Sequence, residues 1–315
     1  MSIDRIATAQ QSQYFLSQIE NASSALNVTQ QQIASGNNAT TYAGFGTQTQ
    51  VLQATMSANA RNSAYQTATS LAITQADVQD TQLTSLSSLT TQLNTAISTA
   101  ISSNDPSTLM SQVQSIFSQA TAILNSQDAN GAYIYGGGND STPPVSVSSL
   151  SQLASLGSVS SAFANGNDLK SVQVADGQSI TYGVTASSVA TGLMQELQNI
   201  AQFDQGTNGN FSGSLNLSGT QNTFLTGELS AISGVASNLN NATAQNGDNY
   251  SALQNAQSQQ STMATLYSGF ISNIQDTNMA QAATQLSLDQ TQLQAALQVT
   301  ASLNKLSLLN YLPVG

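Results

Sequence analysis

The sequence predicts a mainly α fold: a long antiparallel helical rod formed by the N- and C-terminal halves, with a small β-containing domain inserted between them. Three observations carry that expectation. Apolar residues recur at helical spacing over most of the chain. Thr47 to about Ser103 holds that spacing far longer than an ordinary globular helix. One stretch, SVQVADGQSITYGV, alternates apolar and polar residues around Asp176-Gly177, the pattern of two strands joined by a tight turn. The chain therefore goes out as helix, forms its β structure past the middle and returns as helix.

From about Ser2 to Ser35, Phe15, Ile19, Ala22, Leu26 and Ile33 step by four, three, four and seven, which sets them on one helix face. Gly36 is suited to end that helix in a left-handed conformation. Residues 36–46, GNNATTYAGFG, carry loop and turn chemistry throughout. Thr47 to about Ser103 reads as a second long helix, with Val51, Met56, Leu71, Val78, Leu86, Leu93, Ile97 and Ile101 as core candidates. Asn104-Asp105-Pro106 stops it; Asp105 can cap and Pro106 suits a first helical position, so a shorter helix follows with Leu109, Val113, Ile116, Ala120 and Ile123 inward.

Residues 128–144, DANGAYIYGGGNDSTPP, mark the sharpest change in composition. Beyond them Val172 and Val174 face Ile180, Tyr182 and Val184 as a hairpin, and Ser188 to Phe203 reads as a helix with Val189, Leu193, Leu197 and Ile200 on one face. Thr220 to Asp276 is helical again, with Phe224, Leu229, Ile232, Val235, Leu239, Leu253, Met263, Leu266, Phe270 and Ile274 as its apolar positions. The last helix starts near Met279. The expected domains are an N-terminal assembly helix and loop over 1–45, a rod domain whose halves are 46–139 and 219–277, an inserted α+β domain over 140–218, and a C-terminal assembly helix over 278–315.

In the closing segment Met279, Ala283, Leu286, Leu293, Ala296, Leu297, Leu303 and Leu306 form a stripe almost free of charge, with Asp289 and Lys305 its only ionic residues. A helix of this kind is marginal alone in water. The matching stripe at the other end of the chain is the candidate partner within the chain. Both terminal stripes nevertheless lie outside the domain that the returning chain closes. The expected assembly interface is therefore Phe15, Ile19, Ala22, Leu26 and Ile33 with Met279, Ala283, Leu286, Leu293, Leu297, Leu303 and Leu306.

Charge and chemistry narrow the function. Charged residues make up 6% of the chain, against about 25% in ordinary domains, so neighbouring surfaces repel weakly. Four basic against 15 acidic residues give a net charge of -11. Arg5, Arg61, Lys170 and Lys305 are scattered, which argues against nucleic acid and anionic membrane as partners. With no histidine and no cysteine, the chain cannot build Ser/His/Asp or Cys/His catalytic sets, HExxH zinc sites or thiolate metal sites. No cofactor and no metal are expected. Asp77 and Asp80 stand three apart on one helix face, as a carboxylate pair of a glycan-acting enzyme would, but a solvated helix face accounts for them. Gly136-Gly137-Gly138 lacks the GK[ST] ending of a phosphate cradle and reads as a turn. The N-terminal MSIDRIATAQQSQYF has neither the basic region nor the apolar core of a secretory signal, so export, if any, is expected by another route.

Three stretches carry a resemblance. SNIQDTNMAQAATQLSLDQTQLQAALQVTASLNKLSLLNYL, residues 272–312, resembles the flagellin family's D-x-D-[hydrophobic]-A-x-A-x-x-x-L signature leading into a terminal helix. VTQQQIASG, ending at Gly36, is similar to the family's Q-x-x-[LI]-[AS]-SG helix end, and Gly131 to Gly137 resembles a G-x-Y-[LI]-[FY]-GG turn. The last of these, and the closing LSLLNYL, are similar to the members that join hook to filament. Asn278 stands where the family carries a second acid, and residues 38–44 replace its acidic DDPA-type turn. The resemblance implies a structural subunit of the bacterial flagellum that is not an enzyme. It implies export through the flagellar type III channel without a cleaved signal peptide, and assembly outside the cell as a ring of its own copies. That ring would lie between a hook-side hook-associated protein and flagellin, with a small export chaperone shielding the C-terminal helix. Filament flagellin is the alternative; a carboxylate-based glycan-acting enzyme or an adhesin is the distant one.

Overall fold

A computed structural model describes residues 2–309, and their side chains over 10–302. In order the chain forms α1 (Ser2–Ser35), a 3-10 segment (Tyr42–Gln48), α2 (Thr49–Ser103), α3 (Leu109–Leu124), α4 (Leu150–Ala154) and a 3-10 turn (Val159–Ala162). There follow β1 (Lys170–Ala175), β2 (Gln178–Tyr182), α5 (Ala186–Gln205), a 3-10 turn (Phe211–Gly213), α6 (Gly219–Gln275) and α7 (Met279–Leu309). The fold is mainly α with one small antiparallel sheet, as the periodicity predicts. It divides into two compact units: residues 62–262, and a terminal unit of residues 1–61 with 263–315. α2 and α6 each contribute to both.

The central unit is built around one apolar cluster drawn from α2, α3, α5 and α6. On α2, Leu83, Leu86, Thr90, Leu93, Ile97 and Ala100 are buried; they step by three and four, the spacing that keeps one face of a helix on a partner. Buried Thr90 returns its hydroxyl to the Leu86 carbonyl at 3.0 Å, so its polar atom is satisfied inside the helix. α3 buries Leu109, Val113, Ile116, Phe117, Ala120 and Leu124. α5 begins at a reciprocal capping box of Thr185 and Ser188 and buries Val189, Leu193, Leu197 and Ile200. The loop between α3 and α4 is held by Asn125, whose amide donates to the Val145 carbonyl at 3.0 Å and accepts from the Val145 N–H at 2.8 Å. Phe211 anchors the loop before α6 by stacking on Phe203, which stacks in turn on Phe224.

The hairpin pairs Val172 with Ile180 and Lys170 with Tyr182, with a bulge between Gln173 and Ala175 and Gly177 in the left-handed region at φ 72°. It packs through Val172, Val174 and Tyr182 on Ala72, Ala76, Leu253 and Ala256. Small residues on the two helices leave room for the strands. Polar side chains fix the hairpin in place: Gln260 donates to Thr69 Oγ1 at 2.9 Å and to the Val174 carbonyl at 2.8 Å, and the Tyr182 hydroxyl donates to Gln75 at 2.7 Å. Burial, then the charge of Asp128, pushes the Tyr182 hydroxyl up from its ordinary pKa.

Several sequence expectations need correction. Val51, Met56, Leu71 and Val78 of α2 and Met263, Leu266 and Phe270 of α6 are exposed. Along these parts of the helices the buried positions are taken by Leu52, Asn62, Thr69, Ala72, Ala76 and Gln79 on α2 and by Asn246, Leu253, Ala256 and Gln260 on α6. A count of large apolar residues misses a seam of small and amide side chains. α3 begins at Leu109 rather than Pro106, and Asp105 holds the turn before it, accepting from the Ser107 N–H at 2.9 Å. That bond holds the exposed Asp105 carboxyl below its usual pKa. Val184 lies beyond β2, and the expected loop over 36–46 runs into a 3-10 segment from Tyr42. Gly136 and Gly137 do serve a turn: a Cβ on either would lie 2.6 Å from a backbone oxygen, of Asn139 and Gly166 respectively.

Candidate assembly interface

The terminal unit is organised by α1 and α7. α1 ends at Gly36, whose φ of 73° only glycine adopts at no cost, and whose N–H reaches back to the Gln32 carbonyl at 2.8 Å. A short antiparallel bridge then joins Asn37 to Asp276. It is tightened by Asn38 N–H to Gln275 O at 2.7 Å, Thr277 N–H to Gly36 O at 2.8 Å and the Asn38 amide to Ile274 O at 2.9 Å. Asn278 starts α7 by accepting from the Gln281 N–H at 3.2 Å. The amide oxygen at this position thus caps the helix as a carboxylate would. The bridge sets α1 and α7 side by side and antiparallel.

Their facing positions repeat by four and three. On α1 these are Phe15, Ile19, Ala22, Leu26, Thr29 and Ile33, and on α7 they are Ala282, Leu286, Asp289, Leu293, Ala296 and Thr300; all are buried or half-buried. Spacing of three and four keeps one face of each helix turned to the other. One layer of this seam is polar. Thr29 donates to Asp289 Oδ2 at 2.7 Å and to the Ala25 carbonyl at 3.1 Å, while Gln285 donates to Asp289 Oδ1 at 2.8 Å. Asp289 is 2% exposed, and hydroxyl and amide donors hold it.

Of the residues expected at an interface, Phe15, Ile19, Ala22, Leu26, Ile33, Leu286 and Leu293 lie in this seam, half-buried against the other terminal helix. The two stripes therefore pair within the chain, the partnership that their matching spacing suggests. Met279, Ala283 and Leu297 face outward, because Ala282, Asp289 and Ala296 hold the inward positions. Leu303 and Leu306 lie outside the described side chains. Sequence reasoning missed Tyr14, Leu16, Val28, Leu288 and Val299, which are exposed on the outer faces of the same helices. The signal was present: α1 and α7 carry apolar residues on more than one face, which a search for a single stripe discards.

Burial separates the two units. Among the described residues the terminal unit fully buries only Leu52, Ala282, Thr29 and Asp289, two of them polar, and it exposes most of its large apolar side chains. The central unit leaves only Leu71, Val78, Leu169 and Leu215 exposed among its own. No group of three or more potential metal ligands occurs among the described residues, and none of their helices is long and apolar enough to cross a membrane. Asp77 and Asp80 both point to solvent.

No family model matches the chain, and no curated protein matches it. Solved structures do. A Vibrio parahaemolyticus structure described as a flagellar hook-associated protein aligns over 72% of this chain and 97% of its own, with a TM-score of 0.58 and 18% identity. The chain shares the fold of flagellar hook-associated proteins. Bacillus cereus FlgL aligns over 69% of this chain and 96% of its own, with a TM-score of 0.50 and 12% identity. At such identities the likeness to the hook-associated proteins is one of backbone path, and it transfers no residue role.

Proposed function

We propose that this chain is a structural subunit of the bacterial flagellum that joins hook to filament, the part played by hook-associated protein 3. The observation that carries this reading is the asymmetry of burial. A unit that buries four of its described side chains and leaves Leu16, Val28, Phe270, Leu288 and Leu297 in water gains stability by covering that surface. Copies of the same chain, a hook-side hook-associated protein and flagellin offer related helical surfaces for it. The ten predicted interface residues whose side chains are described fit this role in two ways: the seam residues hold the α1–α7 pair together, and the outward ones present it. The fold shared with hook-associated proteins supports the flagellar setting, and the carboxylates in view give no catalytic constellation. The low charge suits close packing of copies. Export through the flagellar channel, and a chaperone over the apolar C-terminal helix until assembly, complete the reading.

Deletion of the gene tests it. The expected strain keeps complete hooks, lacks filaments and sheds unpolymerised flagellin into the medium, and immunogold marks one narrow band at the hook–filament boundary in the parent. Label spread along the filament would assign the chain to the filament instead. Normal filaments in the deletion strain would remove it from the flagellum.

A further inference from the structure

The contact between α5 and α6 contains two acids and no base. α5 comes close to α6 at Gly192, where a Cβ would lie 3.1 Å from Val235 Cγ2. Glu196 follows one turn later on that face of α5, and Glu228 sits two turns before Val235 on α6. Glu196 is 7% exposed, Glu228 is half-buried, and the two carboxyls lie close enough for each to bear on the other, with the Asn199 side chain also acting on Glu228. Treated as carboxylates, each leaves a buried Oε2 without a partner. Carboxylates only accept, so their contact becomes a hydrogen bond when one of them keeps its proton.

We propose that Glu196 and Glu228 form a buried proton-binding site that holds one shared proton at neutral pH, and that this proton secures the packing of α5 on α6. The surroundings supply no alternative to it. α3, α4 and the 159–162 turn, which pack on α5, carry no ionisable side chain. Asp204 of α5 lies two turns beyond Glu196 and accepts from the Phe211 N–H at 2.7 Å. The other ionisable groups of α6, Asp248, Tyr250 and Tyr267, begin about 30 Å along the helix at 1.5 Å per residue. α2 meets α6 in antiparallel register where Asn62 donates to the Gln260 carbonyl and Asn246 to the Ala76 carbonyl, so Asp77 and Asp80 stand about 25 and 21 Å along the helix from Glu228 by the same rise. Arg61, Tyr65 and the hairpin's Lys170 belong to levels farther along.

The Glu228 carboxyl is pushed up to about 8, first by burial, then by the hydrogen bond and charge of Glu196, with Asn199 opposing. The folded chain thus keeps a proton that an unfolded glutamate, with an ordinary value near 4.5, gives up. Stability from this site is full below the unfolded value and is lost as pH rises through the folded one, the reverse of acid denaturation. The chain has no histidine and no cysteine. No other side-chain type ordinarily titrates between pH 5.5 and 8, which makes the effect readable.

Thermal melting of the full chain, followed by near-ultraviolet circular dichroism of buried tyrosines such as Tyr135, is the test. The midpoint is expected to fall by about 3 °C from pH 5.5 to 8.5. Glu228→Gln should flatten that dependence and raise the midpoint at pH 8.5. An infrared band of a protonated carboxyl should be present at pH 7 and absent from that variant. Glu196→Gln gives an independent reading should Glu228→Gln fold poorly. A wild-type midpoint that is flat with pH, a slope that survives in both variants, or a missing carboxyl band at pH 7 would each overturn the site. The site is independent of the flagellar reading, and its failure would leave that reading intact.

Discussion

Thr29 and Asp289 meet inside a seam that is otherwise apolar or small, and their pairing has a sign that can be worked out. A buried polar layer costs stability relative to an apolar one and fixes which layers face each other. Removing Thr29 alone strips a buried carboxylate of one of its two donors. Thr29→Val is therefore expected to weaken the α1–α7 pair by about 1–3 kcal/mol. Removing both polar partners, Thr29→Val with Asp289→Leu, should recover or exceed the parent stability while letting the helices slide by a heptad. Hydrogen exchange of α1 and α7 reads both effects; equal protection in all three proteins would show that the pair sets neither stability nor register. The sequence did not disclose this layer. Phe15 through Ile33 were legible because they are large and apolar, whereas Thr29, Ala282 and Asp289 occupy seam positions with side chains that ordinarily mark a surface or signal nothing.

At the level of elements, helix identity followed from spacing and punctuation. Gly36 ends α1 and the Asp176-Gly177 turn makes the hairpin because each solves a local backbone requirement that neighbouring residues state openly, whereas α5 opens at Ala186, behind the Thr185 cap and two residues before the expected start at Ser188. Which face of a long helix turns inward was less legible. On α2 and α6 the buried positions change from Leu and Ile to Asn, Gln, Thr and Ala, so exposed Val51, Leu71 and Leu266 took their place in the reading. Leu297 is the informative case on α7. It is 50% exposed and adjoins Ala296, which holds the inward position. Leu297→Asp should then change chain stability by no more than about 0.5 kcal/mol while abolishing assembly, since burying an unpaired carboxylate between subunits is costly. Unchanged melting with lost motility is the expected pair of results. A variant that melts normally and still builds motile flagella would take Leu297 out of the interface.

For the whole molecule, the mainly α class and the returning path of the chain were readable because they depend on many weak periodic signals that agree. Where along α2 and α6 the division into two units falls was not readable, because that depends on where burial is complete and where it stops. Residues 62–262 carry the large apolar cluster, the hairpin with its small-residue seat, and side-chain amides bonded across elements. The terminal unit carries most of the exposed large apolar side chains. If that division is functional, residues 62–262 expressed alone should melt in one cooperative transition and sediment as a monomer at any accessible concentration. They should also fail to restore filaments to a deletion strain. The full chain should differ chiefly in self-association, which should strengthen with salt, because a chain with 6% charged residues has little repulsion for salt to screen while excluded salts favour apolar burial. Sedimentation across a range of sulfate concentrations separates the two. An isolated 62–262 segment that associates as strongly as the full chain would place the assembly surface in the central unit, and the terminal helices would then need another role.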